Sequence, residues 1–300
     1  PAGHLRPCHS RIVTPPTLPP DNHVHSQFSW DAAGRGSMDA ACARAVELGL
    51  PSVAFTEHLD LTPWYVPPES LHMFPREGAD YIDESSTFHV PAIDFEAYFE
   101  SIERCRAAHP SLRILTGLEI GEPHWIPDQV AGLVGSGRFE RILGSLHSTR
   151  VDGQPRVIDE WFHTDRIEGA AEAAAVRDYL SEAMAMIEGD DHFEVFAHID
   201  YLVRQIAQAG REHDPYDYED EYREALGALA RSGRVLEINT RLPLDPRIVR
   251  LWHEVGGPAV SFGSDAHTEV RLGYGFADAA AMAEAAGFRP GKDRFDFWRR

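Results

Sequence analysis

Short apolar runs alternate along this chain with longer stretches of helical period. Runs at residues 53–55, 114–118, 142–146, 195–197 and 259–262 have strand length and polar or turn-forming borders. Helices are expected at 38–48, capped by Ser37 and closed by Gly49, and at 95–108, capped by Asp94. Further helices are expected at 127–134, 166–187, 218–230, 246–255 and 277–286. The expected strands are 52–56, 113–119, 139–147, 194–198, 234–239 and 258–263, preceded by an opening segment at 21–26. Seven strands with intervening helices, without repeat or clear boundary, predict one α/β domain over 21–300 built on a parallel sheet.

Six of these segments end in residue types that divalent metals accept. The opening segment carries His23 and His25. Five others, all but the strand at 234–239, lead into His58, Glu119, His147, His198, and the pair Asp265 and His267. Imidazole nitrogen and carboxylate oxygen suit Zn, Mn and Fe. Side chains two apart on a strand share a face, so His23 and His25 can grip one ion. Asp31 adds a carboxylate on the loop that follows. Taken singly, each residue equally fits a partly buried histidine or a turn aspartate. Their succession points to one metal centre at the C-terminal strand ends, and convergence favours a closed or nearly closed barrel.

Residues 60–92 interrupt the alternation with five prolines and contain Trp64, Tyr65, His72 and His89. A loop this long is expected to be functional or disordered, and its place after His58 suits a substrate lid. Residues 1–20, with six prolines, read as an extended arm. The chain begins without Met, which reads as trimming, and shows no signal core or membrane-length apolar run. Cys8, Cys42 and Cys105 have no metal or redox spacing, which fits a reducing cytoplasm. The formal net charge of −20 argues against nucleic-acid and acidic-membrane partners. Lys292 is the one lysine, so the cations are nearly all Arg. That bias fits bidentate oxyanion contacts, or simply codon usage.

The ordered set of H-x-H, His58, Glu119, His147, His198 and D-x-H resembles the polymerase-and-histidinol-phosphatase (PHP) family of metal-dependent phosphoesterases. It is most similar to the histidinol-phosphatase branch. The match spans residues 21–276, and 237–240 (E-I-N-T) resembles that branch's sixth strand end. The resemblance implies a distorted (βα)7 TIM-like barrel and three divalent metal ions (Zn, Fe or Mn). It implies ligand roles for His23, His25, Asp31, His58, Glu119, His147, His198, Asp265 and His267, with Glu119 bridging two ions. It also implies a small phosphorylated substrate, foremost histidinol phosphate, cleaved by a metal-bridging hydroxide.

Arg204 and Arg241 are candidates to hold phosphate, with surface ion pairing the plainer alternative. Asp265 and His267 join them as candidate catalytic residues, and a histidine at the rim could protonate the leaving alkoxide. Glu57 and Asp60 flank His58, either orienting it or lying exposed on the loop. Other readings remain open: a nucleotide or other small phosphoester as substrate, an amidohydrolase-type enzyme, or a non-catalytic metal-binding module. An amidohydrolase commonly uses a bridging lysine, which Lys292 near the C-terminus does not supply. The sequence leaves the oligomeric state open.

Overall fold

A computed structural model of the chain describes residues 18–73, 80–190 and 192–300. The arm expected over 1–20 lies outside that range apart from residues 18–20, as does Cys8.

The main sheet has eight strands, which neighbour one another in chain order. They are β1 (Asp21–Val24), β2 (Ser52–Leu59), β3 (Arg113–Gly121), β4 (Arg141–Ser145), β5 (Val195–Phe196), β6 (Val235–Asn239), β7 (Ala259–Gly263) and β8 (Trp298–Arg299). Strands β1 through β7 pair in parallel, and β8 runs antiparallel along β7. The sheet curls. Val24 bridges Ala266, His25 N donates to Ala266 O at 2.9 Å, and Asp265 N donates to His23 O at 2.8 Å. Those bonds join the first and seventh strands just beyond their C-terminal ends.

Both faces of the sheet are buried, which is why its strands read as continuous apolar runs. Phe196, Leu236 and Val260 enter the large core shared with the helices. Their neighbours Val195, Val235 and Ala259 turn to the other face and pack with Leu143, Ala197 and Phe297. The period-2 alternation of strand side chains thus divides one run between two cores.

Among the described residues, nine helices lie between and after the strands: α1 (Met38–Leu48), α2 (Phe95–Ala108), α3 (Pro127–Val134), α4 (Ile158–Thr164), α5 (Ala170–Gly189), α6 (Tyr201–Gln208), α7 (Glu219–Ser232), α8 (Pro246–Glu254) and α9 (Phe276–Ala286). Local chemistry set the starts of α1 and α2. The Ser37 side chain accepts from Ala40 N and the Asp94 side chain from Ala97 N, satisfying otherwise orphaned first-turn donors.

Three expectations need correction. The helix read over 166–187 begins at Ala170, after Gly169, and α4 precedes it as a separate element. The fourth and fifth strands are shorter than read. Helix α6, directly after His198, was not expected, because eight residues give too short a period to stand out. The 60–92 segment holds a ribbon of Trp64–Tyr65 with Thr87–Phe88 and a 3₁₀ turn at Pro68–Met73. A second ribbon pairs Ser148–Val151 with Gln154–Val157. Among the described residues, no helix is long and apolar enough to cross a membrane.

Helix α2 is tied into the sheet by Tyr98, which is fully buried. Its hydroxyl donates to Phe55 O at 2.8 Å and accepts from Gly117 N at 2.9 Å. Tyr98→Phe leaves both backbone groups without that partner. It is expected to destabilise the fold by about 1–3 kcal/mol, read as a lower urea midpoint with an unchanged slope.

Candidate metal centre

The parallel sheet brings the C-terminal ends of its strands to one place, and all nine candidate ligands lie there. The Glu119 carboxylate, fully buried at the end of β3, is the hub. One oxygen, Oε1, lies 2.7 Å from His198 Nε2 and 3.1 Å from His147 Nε2, and accepts from Ser145 Oγ at 2.6 Å. The other, Oε2, lies 3.1 Å from His23 Nε2, 3.3 Å from His25 Nε2 and 3.1 Å from His58 Nδ1. Asp265 Oδ1 sits 3.6 Å from His25 Nε2. Asp31 reaches in from the loop after β1, with Oδ2 2.7 Å from His267 Nε2 and Oδ1 3.6 Å from His58 Nε2.

Four ligand groupings result: His25 with His58 and His267; His23 with His25 and Asp265; His23 with Glu119 and His198; and His58 with Glu119 and His147. Within each, the ligand atoms lie within 4.8 Å of one another. Several of these atoms have the character of metal donors. Glu119 Oε2, Asp31 Oδ1, His58 Nδ1 and His267 Nε2 are buried without a hydrogen-bond partner, although Oε2 has three imidazole nitrogens around it. Their directions do not align as N–H to oxygen. His23 Nε2 and His25 Nε2 face each other at 3.1 Å. Two nitrogens on one tetrahedral zinc stand ~3.3 Å apart, given Zn–N bonds near 2.0–2.1 Å. The donor set therefore fits divalent cations.

The electrostatics agree. Burial alone would lower the His58 imidazole, but Asp31, Glu119 and Asp60 hold it up at about 9. Burial likewise opposes His23, which Glu119, Glu237 and Asp265 hold well above its ordinary value. Burial would raise Glu119, and His23, His147 and His58 depress it well below the usual carboxylate range. The carboxylates thus impose a field that favours positive charge at this spot.

A surrounding set of groups fixes the candidate ligands. Glu237 Oε1 lies 2.7 Å from His23 Nδ1, and its Oε2 accepts from His198 N at 2.9 Å. Asp60 Oδ1 lies 2.9 Å from His147 Nδ1. Glu122 Oε1 accepts from His147 N at 2.6 Å and Ser148 N at 2.8 Å. Glu57 takes bonds from Ser26 and Ser29, and Ser29 Oγ lies 2.9 Å from His25 Nδ1. Glu57 and Asp60 are therefore buried orienting groups, not exposed loop carboxylates, and through Ser29 Glu57 reaches both the His25 ring and the His58 backbone N. Sequence inspection missed the roles of Glu122 and Glu237. Glu237 had a signal, as a carboxylate inside an apolar strand.

Two glycines make room for these carboxylates. A Cβ at Gly263 would stand 2.0 Å from Glu237 Oε1 and 2.6 Å from His23 Cβ. One at Gly121 would stand 2.2 Å from Asp60 Oδ1. Three site residues adopt left-handed backbone angles: Glu122 (φ 43°), His198 (φ 27°) and Asp265 (φ 52°). Each such angle costs about 1–3 kcal/mol and is sustained by its surroundings.

Beside the cluster opens a cavity of about 250 Å³. Arg204 and Arg241 line it. Arg204 is buried, with Nη1 3.5 Å from Asp265 Oδ2, so surface ion pairing does not describe it. Arg241, half-exposed, places Nη1 3.3 Å from Asp265 Oδ1 and 3.1 Å from His267 Nδ1.

A curled parallel sheet with buried histidines and carboxylates at its C-terminal strand ends defines an α/β protein with a candidate metal centre. The PHP domain family model matches residues 21–241, and the chain belongs to that family. It is 26% identical over 277 residues to the histidinol-phosphatase of Lactococcus lactis, covering 89% of this chain and 91% of that protein. A crystal structure of the Lactococcus lactis histidinol phosphate phosphatase, complexed with Zn, L-histidinol and phosphate, shares the fold. Its TM-score is 0.70 at 22% identity, covering 91% of this chain and 95% of that one. A second structure, from Listeria monocytogenes, matches with TM-score 0.68 at 21% identity, covering 86% and 99%.

Glu237→Gln keeps the shape but weakens the hold on His23. Metal retained after dialysis against graded chelator is expected to fall, with affinity down about 10–100-fold.

Proposed function

We propose that this protein is a metal-dependent phosphomonoesterase that releases phosphate from a small ester, histidinol phosphate foremost. The observation that carries this reading is Glu119, with one oxygen facing His147 and His198 and the other facing His23, His25 and His58. Such a carboxylate suits a bridge between ions. The nine residues His23, His25, Asp31, His58, Glu119, His147, His198, Asp265 and His267 would hold three divalent ions of Zn, Fe or Mn on a distorted (βα)7 barrel. The similarity to a protein described with Zn, L-histidinol and phosphate supports the metal and the substrate class.

When bound, such ions supply a water activated near neutral pH and neutralise phosphate oxygens. The chain's own residues do the rest. Arg204 and Arg241 stand at the pocket next to Asp265 and would clamp the phosphate oxygens, their planar guanidinium groups matching oxyanion geometry. Ion pairs to Asp200 and Asp265 fix Arg204 for that task. Asp265 and His267 link the arginines to the cluster, and His267 lines the cavity in which the ester would sit. The 60–92 segment contributes Trp64 and Met73 to the cavity wall and would cover the bound substrate. We read residues 21–300 as a single domain of this kind, active in the cytoplasm.

Purified protein reconstituted with Zn, Mn or Fe is expected to release phosphate from histidinol phosphate faster than from nucleotide monophosphates. Chelation should abolish release and metal should restore it. His23→Ala, His147→Ala and Asp265→Ala should each lower kcat/KM by about 10²-fold or more. Full activity in all three would overturn the reading. In a second assay, Arg204→Ala and Arg241→Ala are expected to weaken inorganic phosphate as a product inhibitor while metal content holds.

A further inference from the structure

Among the described residues, six carboxylates line the cavity: Asp31, Asp60, Glu119, Asp159, Glu160 and Asp265. Five have an evident occupation. Asp31, Glu119 and Asp265 belong to the candidate metal cluster, and Asp60 faces His147. Glu160 is held by the Arg156 guanidinium at 2.7 and 3.0 Å and by Ser70 Oγ.

Asp159, in the first turn of α4, is different. Its Oδ1 accepts from Gln205 Nε2 at 2.7 Å. The Gln205 carbonyl oxygen in turn lies 3.0 Å from His163 Nε2, which fixes the amide with its NH₂ toward Asp159. The Tyr201 hydroxyl acts on the carboxyl as well, lowering it. Both groups are neutral. Among the described residues, no ion pair at 4.0 Å or closer involves Asp159. Burial pushes its carboxyl up, against the pull of Tyr201, His147, Arg241 and Arg204. Asp159 is thus a positioned, partly desolvated carboxylate, open to the cavity and without a cation of its own. Such a group discriminates by charge, because a neutral ligand leaves it uncompensated.

We propose that Asp159 is a specificity-determining residue that pairs with a protonated nitrogen on the leaving alcohol. The cavity then has two charge poles, Arg204 and Arg241 for phosphate and Asp159 for the cationic end. Trp30, 6.4 Å from the His58 ring, and Trp64, 6.0 Å from Trp30, supply an apolar wall. This inference rests on the phosphatase reading above.

The test compares wild type with Asp159→Asn and Asp159→Glu on three esters: histidinol phosphate, ethanolamine phosphate (ammonium without a ring) and phenyl phosphate (no cation). For Asp159→Asn, KM for histidinol phosphate is expected to rise about 10-fold or more relative to phenyl phosphate, with kcat changing far less. A parallel rise for ethanolamine phosphate assigns the contact to the ammonium group, and its absence assigns it to the ring. Asp159→Glu should retain more of the preference than the amide. Equal changes on all three esters, or none, would overturn the proposal.

A binding measurement separates this inference from the one beneath it. L-histidinol, titrated calorimetrically into metal-loaded protein, should bind about 10-fold or more weakly to Asp159→Asn. Equal affinities would overturn the role of Asp159. Weakened binding in a protein that hydrolyses none of the esters would support Asp159 and sink the phosphatase reading.

Discussion

One constraint organises this molecule: a carboxylate, Glu119, is fully buried at the end of a central strand and must be compensated there. Removing such a charge from water costs several kcal/mol, and only opposite charge or well-directed donors recover it. The fold surrounds Glu119 with His23, His25, His58, His147 and His198, contributed by four other strands or the residues just after them. Divalent cations suit that crowd better than protons do. Protonated imidazoles would repel one another at these separations, whereas ions can be shared through both oxygens of one carboxylate. The curl of the sheet follows, since strands in a flat sheet could not reach a common point.

Around this hub a second group of acids holds three of the imidazoles in place. Glu237, Asp60 and Glu57 act on His23, His147 and, through Ser29, His25. A ring nitrogen engaged in this way leaves the opposite nitrogen free for a metal. The same need shapes the backbone. Gly263 and Gly121 stand where any side chain would collide with Glu237 or Asp60. His198 and Asp265 carry positive φ where the chain turns from strand to site. Strain and crowding collect here because the site must be held in place, not because the fold needs them.

The cavity beside the cluster is divided by charge. Arg204 and Arg241 face the region where a phosphate would meet the ions, and they are tethered by Asp265. Asp159 is held by the neutral Gln205 amide and, among the described residues, has no ion pair at 4.0 Å or closer. A zwitterionic phosphate ester matches both poles. The acidic net charge of the whole chain would have suggested general attraction to cations. The placement of these three side chains is more specific than that.

The sequence determined most of the alternation, because buried parallel strands and capped helices leave local signatures in residue period and cap chemistry. It also pointed to most of the candidate ligands, since His58, Glu119, His147, His198 and the pair Asp265 and His267 follow apolar runs, where a polar group is conspicuous; Asp31, on a loop, gained its ligand role only through the resemblance. Short elements such as α6, and the break before Ala170, gave too little periodicity to read. Nor could the sequence show whether Arg204 was a surface cation, or whether Glu57 and Asp60 were exposed. Those are questions of burial and partner. The answers came only when strands far apart in the chain were brought within hydrogen-bond reach. The tertiary structure alone showed which acids lie against the imidazoles, which lie together in the cluster, and that Asp159 lines the cavity bonded by a neutral amide, because an acid's role depends on its neighbours and not on its type.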